Sequence, residues 1–317
     1  MHVISASRRT DIPAFYSDWF MNRIRVGHVR WQNPYGGLSF EASLHPADVL
    51  AIVFWSKNYE PLLQHLDELD DLDFRMCFQY TITSLPKIFE PHVPDIDVSI
   101  RCAQKLAERY GRDSVLWRYD PIVISSVTSA DYHIKRFAML ANALKDVTTR
   151  CYISFPTFYG KVLRNNKALL KEHGIDCVDI SIVEKIEVAQ ELANIAKQYE
   201  IDMYSCCGDY LIGNSIEKAH CIDAQLLAKL FPDRIYSLKQ RPTRHECGCY
   251  ESKDIGAYYT CPHGCTYCYA NNSKELALRN YASHKPNTDM LTGESGIGIS
   301  SLTCSNRQPK QCELSFE

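Results

Sequence analysis

From His2 to Leu230, short apolar runs alternate with amphipathic stretches. The runs His2–Ser7, Asp48–Trp55, Phe74–Thr83, Val115–Tyr119, Cys151–Phe155 and Asp202–Ser205 carry apolar residues at adjacent positions. That is the pattern of strands covered on both faces. Between them, Phe15–Val26, Glu60–Leu69, Asp97–Tyr110, Asp131–Leu144, the segment after Gly160, Val183–Tyr199 and Ile222–Leu230 repeat apolar residues at helical spacing. Asp95 or Asp97 caps the helix that Gly111 stops. Val29–Leu44 reads as a two-strand excursion around Pro34-Tyr35-Gly36-Gly37.

Strands alternating with helices predict an α/β fold with a parallel sheet. About six strand–helix units point to a partial or complete parallel (β/α) barrel, with an open doubly wound sheet as the competing arrangement. The chain has no GxGxxG, no GxxxxGK(S/T) and no internal repeat, so nucleotide folds of those types gain no support. In either architecture ligands bind at the carboxyl ends of the strands. Those ends are polar here: Arg8, Arg9 and Asp11; Ser56, Lys57 and Asn58; Gln79, Thr81 and Thr83; Arg118 and Asp120; Ser154 and Thr157; Asp209. Strand ends that merely reach solvent would also be polar. Arginine with a carboxylate at two separate ends tips the reading towards a site, and such pairs could clamp a carboxylate or phosphate.

The pattern stops at Pro242. Arg244–Ala270 is rich in Cys, Gly, Tyr and His and poor in periodic apolar residues, so it needs an organiser other than a hydrophobic core. The expected organisation is a barrel-like unit over 1–241, a cysteine-rich cluster region packed on it over 242–282, and an extended or disordered tail over 283–317. A short helix is expected over Asn272–Tyr281. Of 317 residues, 45% are hydrophobic and 23% charged, an ordinary globular composition. The net charge of -3 gives no bulk attraction to nucleic acid or an anionic membrane. No signal peptide and no apolar run near the ~20 residues of a transmembrane helix are evident, so a cytoplasmic protein is expected.

Fourteen cysteines in a reducing compartment point to metal or catalytic work rather than disulfides. Cys77, Cys102, Cys151 and Cys177 sit in apolar surroundings and read as small buried hydrophobes. Cys304 and Cys312 lie in the tail and read as free surface thiols. Cys261-Pro-His-Gly-Cys265-Thr-Tyr-Cys268 is different: three soft ligands in one loop, spaced CxxxCxxC. A closed structural site wants four ligands. Three thiolates suggest a four-iron cluster with one iron left open. The competing reading is zinc, with His263, Cys247 or Cys249 as the fourth ligand. A second group, Cys221, Cys247 and Cys249 with either Cys206 or Cys207, makes four thiolates, suited to an auxiliary 4Fe-4S cluster or structural zinc; buried or free thiols are the plain alternative. His245 and His263 read as hydrogen-bond donors and Asp254 as a turn cap at Gly256.

The triplet with Tyr267 before its last cysteine resembles the CxxxCxΦC motif (Φ aromatic) of the radical S-adenosylmethionine superfamily, and Cys268-Tyr269-Ala270 resembles its spore photoproduct lyase-like members. The start Ile4-Ser5-Ala6-Ser7-Arg8-Arg9-Thr10-Asp11-Ile12-Pro13 and the block from Cys247-Gly248-Cys249 to Ala270 resemble an uncharacterised bacterial family, domain of unknown function 1848. The superfamily resemblance implies that Cys261, Cys265 and Cys268 ligate a 4Fe-4S cluster. Its open iron would bind S-adenosylmethionine, whose reductive cleavage gives a 5′-deoxyadenosyl radical. It implies Tyr267 near the adenine; from the polar strand ends, Arg8, Asp11, Lys57, Arg118 and Asp120 are expected as further cofactor contacts. It also implies a flavodoxin or ferredoxin reductant and a small-molecule substrate, for which the strand-end arginines suggest an anionic group. The motif lies late in the chain, so a shared fold would be circularly permuted, with Ile255–Thr260 as the strand before the cluster loop. No clear Gly-Gly-Glu is found for the methionine amino group. The other readings are a non-catalytic iron–sulfur electron-transfer or structural zinc protein, and a nucleic-acid repair lyase, which the near-neutral charge counts against.

Overall fold

The computed structural model describes residues 1–33, 37–213, 215–234, 237–271 and 273–292. The turn centre at Pro34–Gly36 and both Cys304 and Cys312 lie outside the described residues. The strands are β1 (His2–Ala6), β2 (His28–Gln32), β3 (Ser39–Ser43), β4 (Val49–Ser56), β5 (Met76–Thr81), β6 (Val115–Tyr119), β7 (Arg150–Ile153), β8 (Asp202–Ser205), β9 (Ile216–Lys218) and β10 (Lys253–Asp254). The helices are α1 (Ile12–Phe15), α2 (Ser17–Val26), α3 (Glu60–Leu63), α4 (Leu66–Asp71), α5 (Ile96–Tyr110), α6 (Ala130–Leu144), α7 (Gly160–His173), α8 (Ile182–Gln198), α9 (Ala224–Leu230) and α10 (Lys274–Ser283).

Eight strands form one sheet in the order β10-β1-β4-β5-β6-β7-β8-β9. Every pairing in it is parallel. The fold is therefore α/β with a large parallel sheet, as expected. No pairing joins β9 to β10 among the described residues, and the strand order is consistent with a partial or complete parallel barrel. β2 and β3 form a separate antiparallel hairpin, the expected excursion.

The apolar strands bury both faces. Ile4, Ile52, Phe54, Phe78, Tyr80, Trp117, Tyr119 and Ile153 pack with residues of α2, α5, α6 and α8 in the larger core. The intervening positions Val3, Ala51, Val53, Cys77, Leu116 and Tyr152 pack against Ile222 and against Leu226 and Leu227 of α9. That second core also contains Cys206, Cys221, Cys247 and Cys249. The inner face of the barrel-like sheet is thus filled by the chain from 219 onwards.

Several boundaries differ from expectation. The helix expected over Phe15–Val26 breaks at Tyr16, because Asp11 starts a separate turn by accepting from the Ala14 amide at 3.0 Å. Glu60–Leu69 is two short helices, α3 and α4. β9 was not foreseen; three residues reading Ile-Glu-Lys carry no pattern to detect. The strand before the cluster loop is Lys253–Asp254, not Ile255–Thr260. The expected tail is packed at its start. Trp19 donates to the Thr288 carbonyl at 2.9 Å, Arg30 pairs with Asp289 at 2.9 Å, and Leu291 is buried.

Candidate metal centre

The triplet lies in the loop between β10 and α10, and that loop crosses the carboxyl ends of the strands. Asp254 fixes its root. This carboxylate accepts from Ser5 Oγ at 3.0 Å, Ser7 Oγ at 2.6 Å and the Arg8 amide at 2.9 Å. It also accepts from the Gly256 amide at 3.2 Å, the expected turn cap. Arg8 and Arg9 add charge at 3.7 and 3.9 Å.

Asp11, after β1, ties the loop to β4. It accepts from Ser56 Oγ at 2.7 Å and the Lys57 amide at 2.8 Å, and it faces His263 Nε2 at 2.8 Å. The other ring nitrogen of His263 faces the His92 carbonyl at 3.1 Å. With the Ala14 amide, both carboxylate oxygens of Asp11 already hold partners, as does His263, which is 3% exposed. Gly264 takes φ +72, the left-handed region, and lets the loop turn between Cys261 and Cys265.

Tyr267 is anchored by its hydroxyl to Glu90, a residue beyond β5. Glu90 also accepts from Lys57 Nζ and Thr83 Oγ1, each at 2.8 Å. Burial alone would raise the Glu90 pKa. The Lys57 ammonium and the hydrogen bonds from Lys57, Tyr267 and Thr83 outweigh it and hold the carboxyl below its ordinary range. For Lys57, burial pulls the pKa down, but Glu90 and Cys265 leave it raised. The Tyr267 ring packs beside Leu85, Phe89, Val123, Leu169 and Ile175. From α7, Asn165 donates to the Thr266 carbonyl at 2.5 Å and Lys161 to the Tyr269 carbonyl. Loops after β1, β4 and β5, together with helix α7, therefore hold the triplet loop.

The three cysteine residues keep some solvent contact, yet their thiols sit deep. Burial pushes Cys265 up to about 12, against the pull of Lys57. Burial raises Cys261 and Cys268 as well, with the neighbouring thiols adding to the effect at Cys261. A metal centre would take these protons' places. Three thiols are held in one loop, with Cys268 Sγ accepting from the Ala270 amide at 3.3 Å. That donor set suits a thiophilic cluster.

The second cysteine group is also brought together, and it is larger than the expected four. Cys206 and Cys221 sulfurs lie 3.3 Å apart. Cys206 also contacts Cys207, Cys207 contacts Cys247, Cys247 contacts Cys249, and Cys249 contacts Cys221. The five thiols close a ring. Arg244 Nε lies 2.9 Å from Cys207 Sγ, and Arg118 Nη1 lies 3.4 Å from Cys221 Sγ. Burial lowers the Arg8 pKa, but Asp254, with smaller contributions from Cys249 and Cys221, leaves it raised. Gly248 is required between Cys247 and Cys249, because a Cβ there would meet the His220 ring at 2.7 Å and the Ala219 carbonyl at 3.0 Å. Among the described residues, no group of three or more His, Cys, Asp or Glu is spaced as a ready cage for a single metal ion.

The expected cofactor contacts divide between the two groups. Asp11, Lys57 and Tyr267 brace the triplet loop. Arg8 and Arg118 stand by the thiol ring, and Asp120 pairs with Arg118. The side chains expected to clamp an anion are paired within the chain: Arg8 and Arg9 with Asp254, Arg118 with Asp120, and Lys57 with Glu90. Asp209 is exposed and pairs with Lys218 at 2.7 Å, and Thr157 is also exposed. Cys77, Cys102 and Cys151 are buried as expected, whereas Cys177 is half-buried. Open clefts of about 450 Å³ occur near His45 and near Asp223, and neither includes a triplet residue.

The family described as Domain of unknown function (DUF1848) matches residues 3–270. The chain belongs to that family. The DUF1848 match runs from β1 to Ala270, so it contains both cysteine groups and stops before α10. No curated protein and no solved structure matches the chain.

Glu90, Arg244 and Tyr269 gain roles that sequence reasoning did not assign, and Cys206 and Cys207 both join the second group where one was expected. Glu90 lies in a loop without periodicity, so nothing in its neighbourhood marks it. Arg244 could have been suspected from its place three residues before Cys247. Tyr269 donates to the Arg8 carbonyl at 2.6 Å; burial raises its pKa, Tyr258 and Cys268 add to the rise, and Arg8 and Arg244 oppose it. It therefore stands between the two cysteine groups.

Proposed function

We propose that this protein is a radical S-adenosylmethionine enzyme acting on a small molecule. The carrying observation is the CxxxCxYC triplet, held by loops after β1, β4 and β5 and by α7 over the carboxyl end of a parallel sheet. Cys261, Cys265 and Cys268 would hold the 4Fe-4S cluster. Bound there with S-adenosylmethionine and given an electron, that cluster supplies a 5′-deoxyadenosyl radical.

The chain's own residues do the positioning. Asp11 and His263 lock the first half of the loop to β4, and Glu90 with Tyr267 locks the second half. Tyr267 acts in this reading as a half-buried brace. The parallel pairing of β10 with β1 puts the last strand beside the first, the neighbourhood a circularly permuted barrel requires. Of the charged groups expected to bind an anion, those at Arg8, Arg9, Arg118 and Lys57 already hold carboxylates.

A reducing cytoplasm suits this chemistry, with a flavodoxin or ferredoxin as electron donor. None of the twelve described cysteines is in a disulfide, and no described helix is long and apolar enough to cross a membrane. The test is direct: anaerobically reconstituted, reduced protein should convert S-adenosylmethionine to 5′-deoxyadenosine. Protein that holds iron and sulfide at the triplet yet never forms that product would overturn the reading.

A further inference from the structure

We propose that Cys206, Cys207, Cys221, Cys247 and Cys249 form a second metal centre, in which four of the five thiolates close the shell around zinc or an iron–sulfur cluster. The thiols come from three separate stretches of chain: the end of β8, the loop before α9 and the cysteine-rich segment. They meet in a closed ring of neighbouring sulfurs, 3.3 Å apart at Cys206 and Cys221. All are free thiols, and four of the five are buried. An all-sulfur donor set is the preference of thiophilic metals, and with four thiolates available no coordination position is left for a substrate.

Charge supports the same assignment. Four thiolates around a divalent zinc ion, or around an oxidised four-iron cluster, leave a net charge of about −2, which must be compensated when buried. Arg244 and Arg118 direct guanidinium nitrogens at Cys207 and Cys221, and Arg8 stands beside Cys249. Thr243 Oγ1 adds a contact to Cys247 Sγ at 3.5 Å. The segment that carries Cys247 and Cys249 has little apolar periodicity, and the metal supplies the folding energy a core would otherwise give. The fifth thiol is in excess of the shell. This centre is distinct from the triplet and stands whether or not the radical reading does.

Two measurements test it. The full chain carrying Cys261→Ala, Cys265→Ala and Cys268→Ala, purified anaerobically, is analysed for zinc, iron and acid-labile sulfide. Retention of about one zinc, or of about four iron with matching sulfide, per chain supports the centre and says which metal fills it. Adding Cys247→Ser and Cys249→Ser should remove that metal. Because cysteine variants can misfold, alkylation is also mapped on the wild-type protein. Four of the five cysteines should be protected until a chelator is added. Metal-free triple variant with native circular dichroism, or immediate alkylation of all five thiols in the wild type, or a Cys206–Cys221 disulfide in freshly purified protein, would overturn the proposal.

Discussion

Glu90 gathers donors from Lys57, Thr83 and Tyr267 on one buried carboxylate, and so joins two strand ends to the cluster loop. Glu90→Gln leaves Lys57 buried without its counter-charge. A loss of about 3 kcal/mol is expected in urea denaturation, the range for breaking a buried ion pair from one side. Because the folded pKa of Glu90 is depressed, its contribution is present above the ordinary glutamate range and is lost as pH falls through the folded value. The variant's stability should therefore fall less steeply in acid than that of the wild type. His133 gives a second residue-level test. It is fully buried between the Tyr119 hydroxyl and the Val123 carbonyl, each at 2.8 Å, and burial lowers its pKa. Its neutral form is favoured in the fold, so stability should drop as pH falls below about 6.5. His133→Gln should flatten that drop, measured by thermal melts between neutral pH and mildly acid pH.

At the scale of elements, β10 is only two residues long and relies on Asp254 for its place beside β1. Asp254→Ala strands buried donors at Ser5, Ser7, Arg8 and Gly256, at a cost of about 3 kcal/mol or more. Hydrogen exchange should quicken over 253–271, while β5 and β6 keep their protection. Equal loss of protection across the whole sheet would contradict this local role. The same element marks what the sequence could and could not tell. Strands such as Val115–Tyr119 announced themselves because burial on both faces demands continuous apolar residues. β9 and β10 are short, polar and placed by partners far along the chain, so no local period exists to read. The triplet was legible because its three thiols share one loop. The ring of five was only partly legible, since its members come together from positions 206 to 249 and Arg8 and Arg118 approach from other strands. The expected anion clamp shows a limit of another kind: sequence located Arg118 beside its partner Asp120, but not Asp254 as the partner of Arg8.

Across the whole molecule, the barrel-like sheet does two things. Its outer face carries the helical core, and its inner face and carboxyl end carry the two cysteine groups, with Tyr269 between them. Cys265→Ala should remove the iron assigned to the triplet and all cofactor cleavage, while leaving metal at the five-thiol ring. Metal analysis and product chromatography on one preparation check both. The most direct measurement for the central claim is the electron paramagnetic resonance spectrum of reduced, anaerobically reconstituted protein with and without S-adenosylmethionine. Only a cluster with an iron free of protein ligands can take up the cofactor. The expected result is a signal that shifts when the cofactor is added and that is lost in Cys265→Ala; a triplet-dependent iron–sulfur signal unchanged by S-adenosylmethionine would contradict the account.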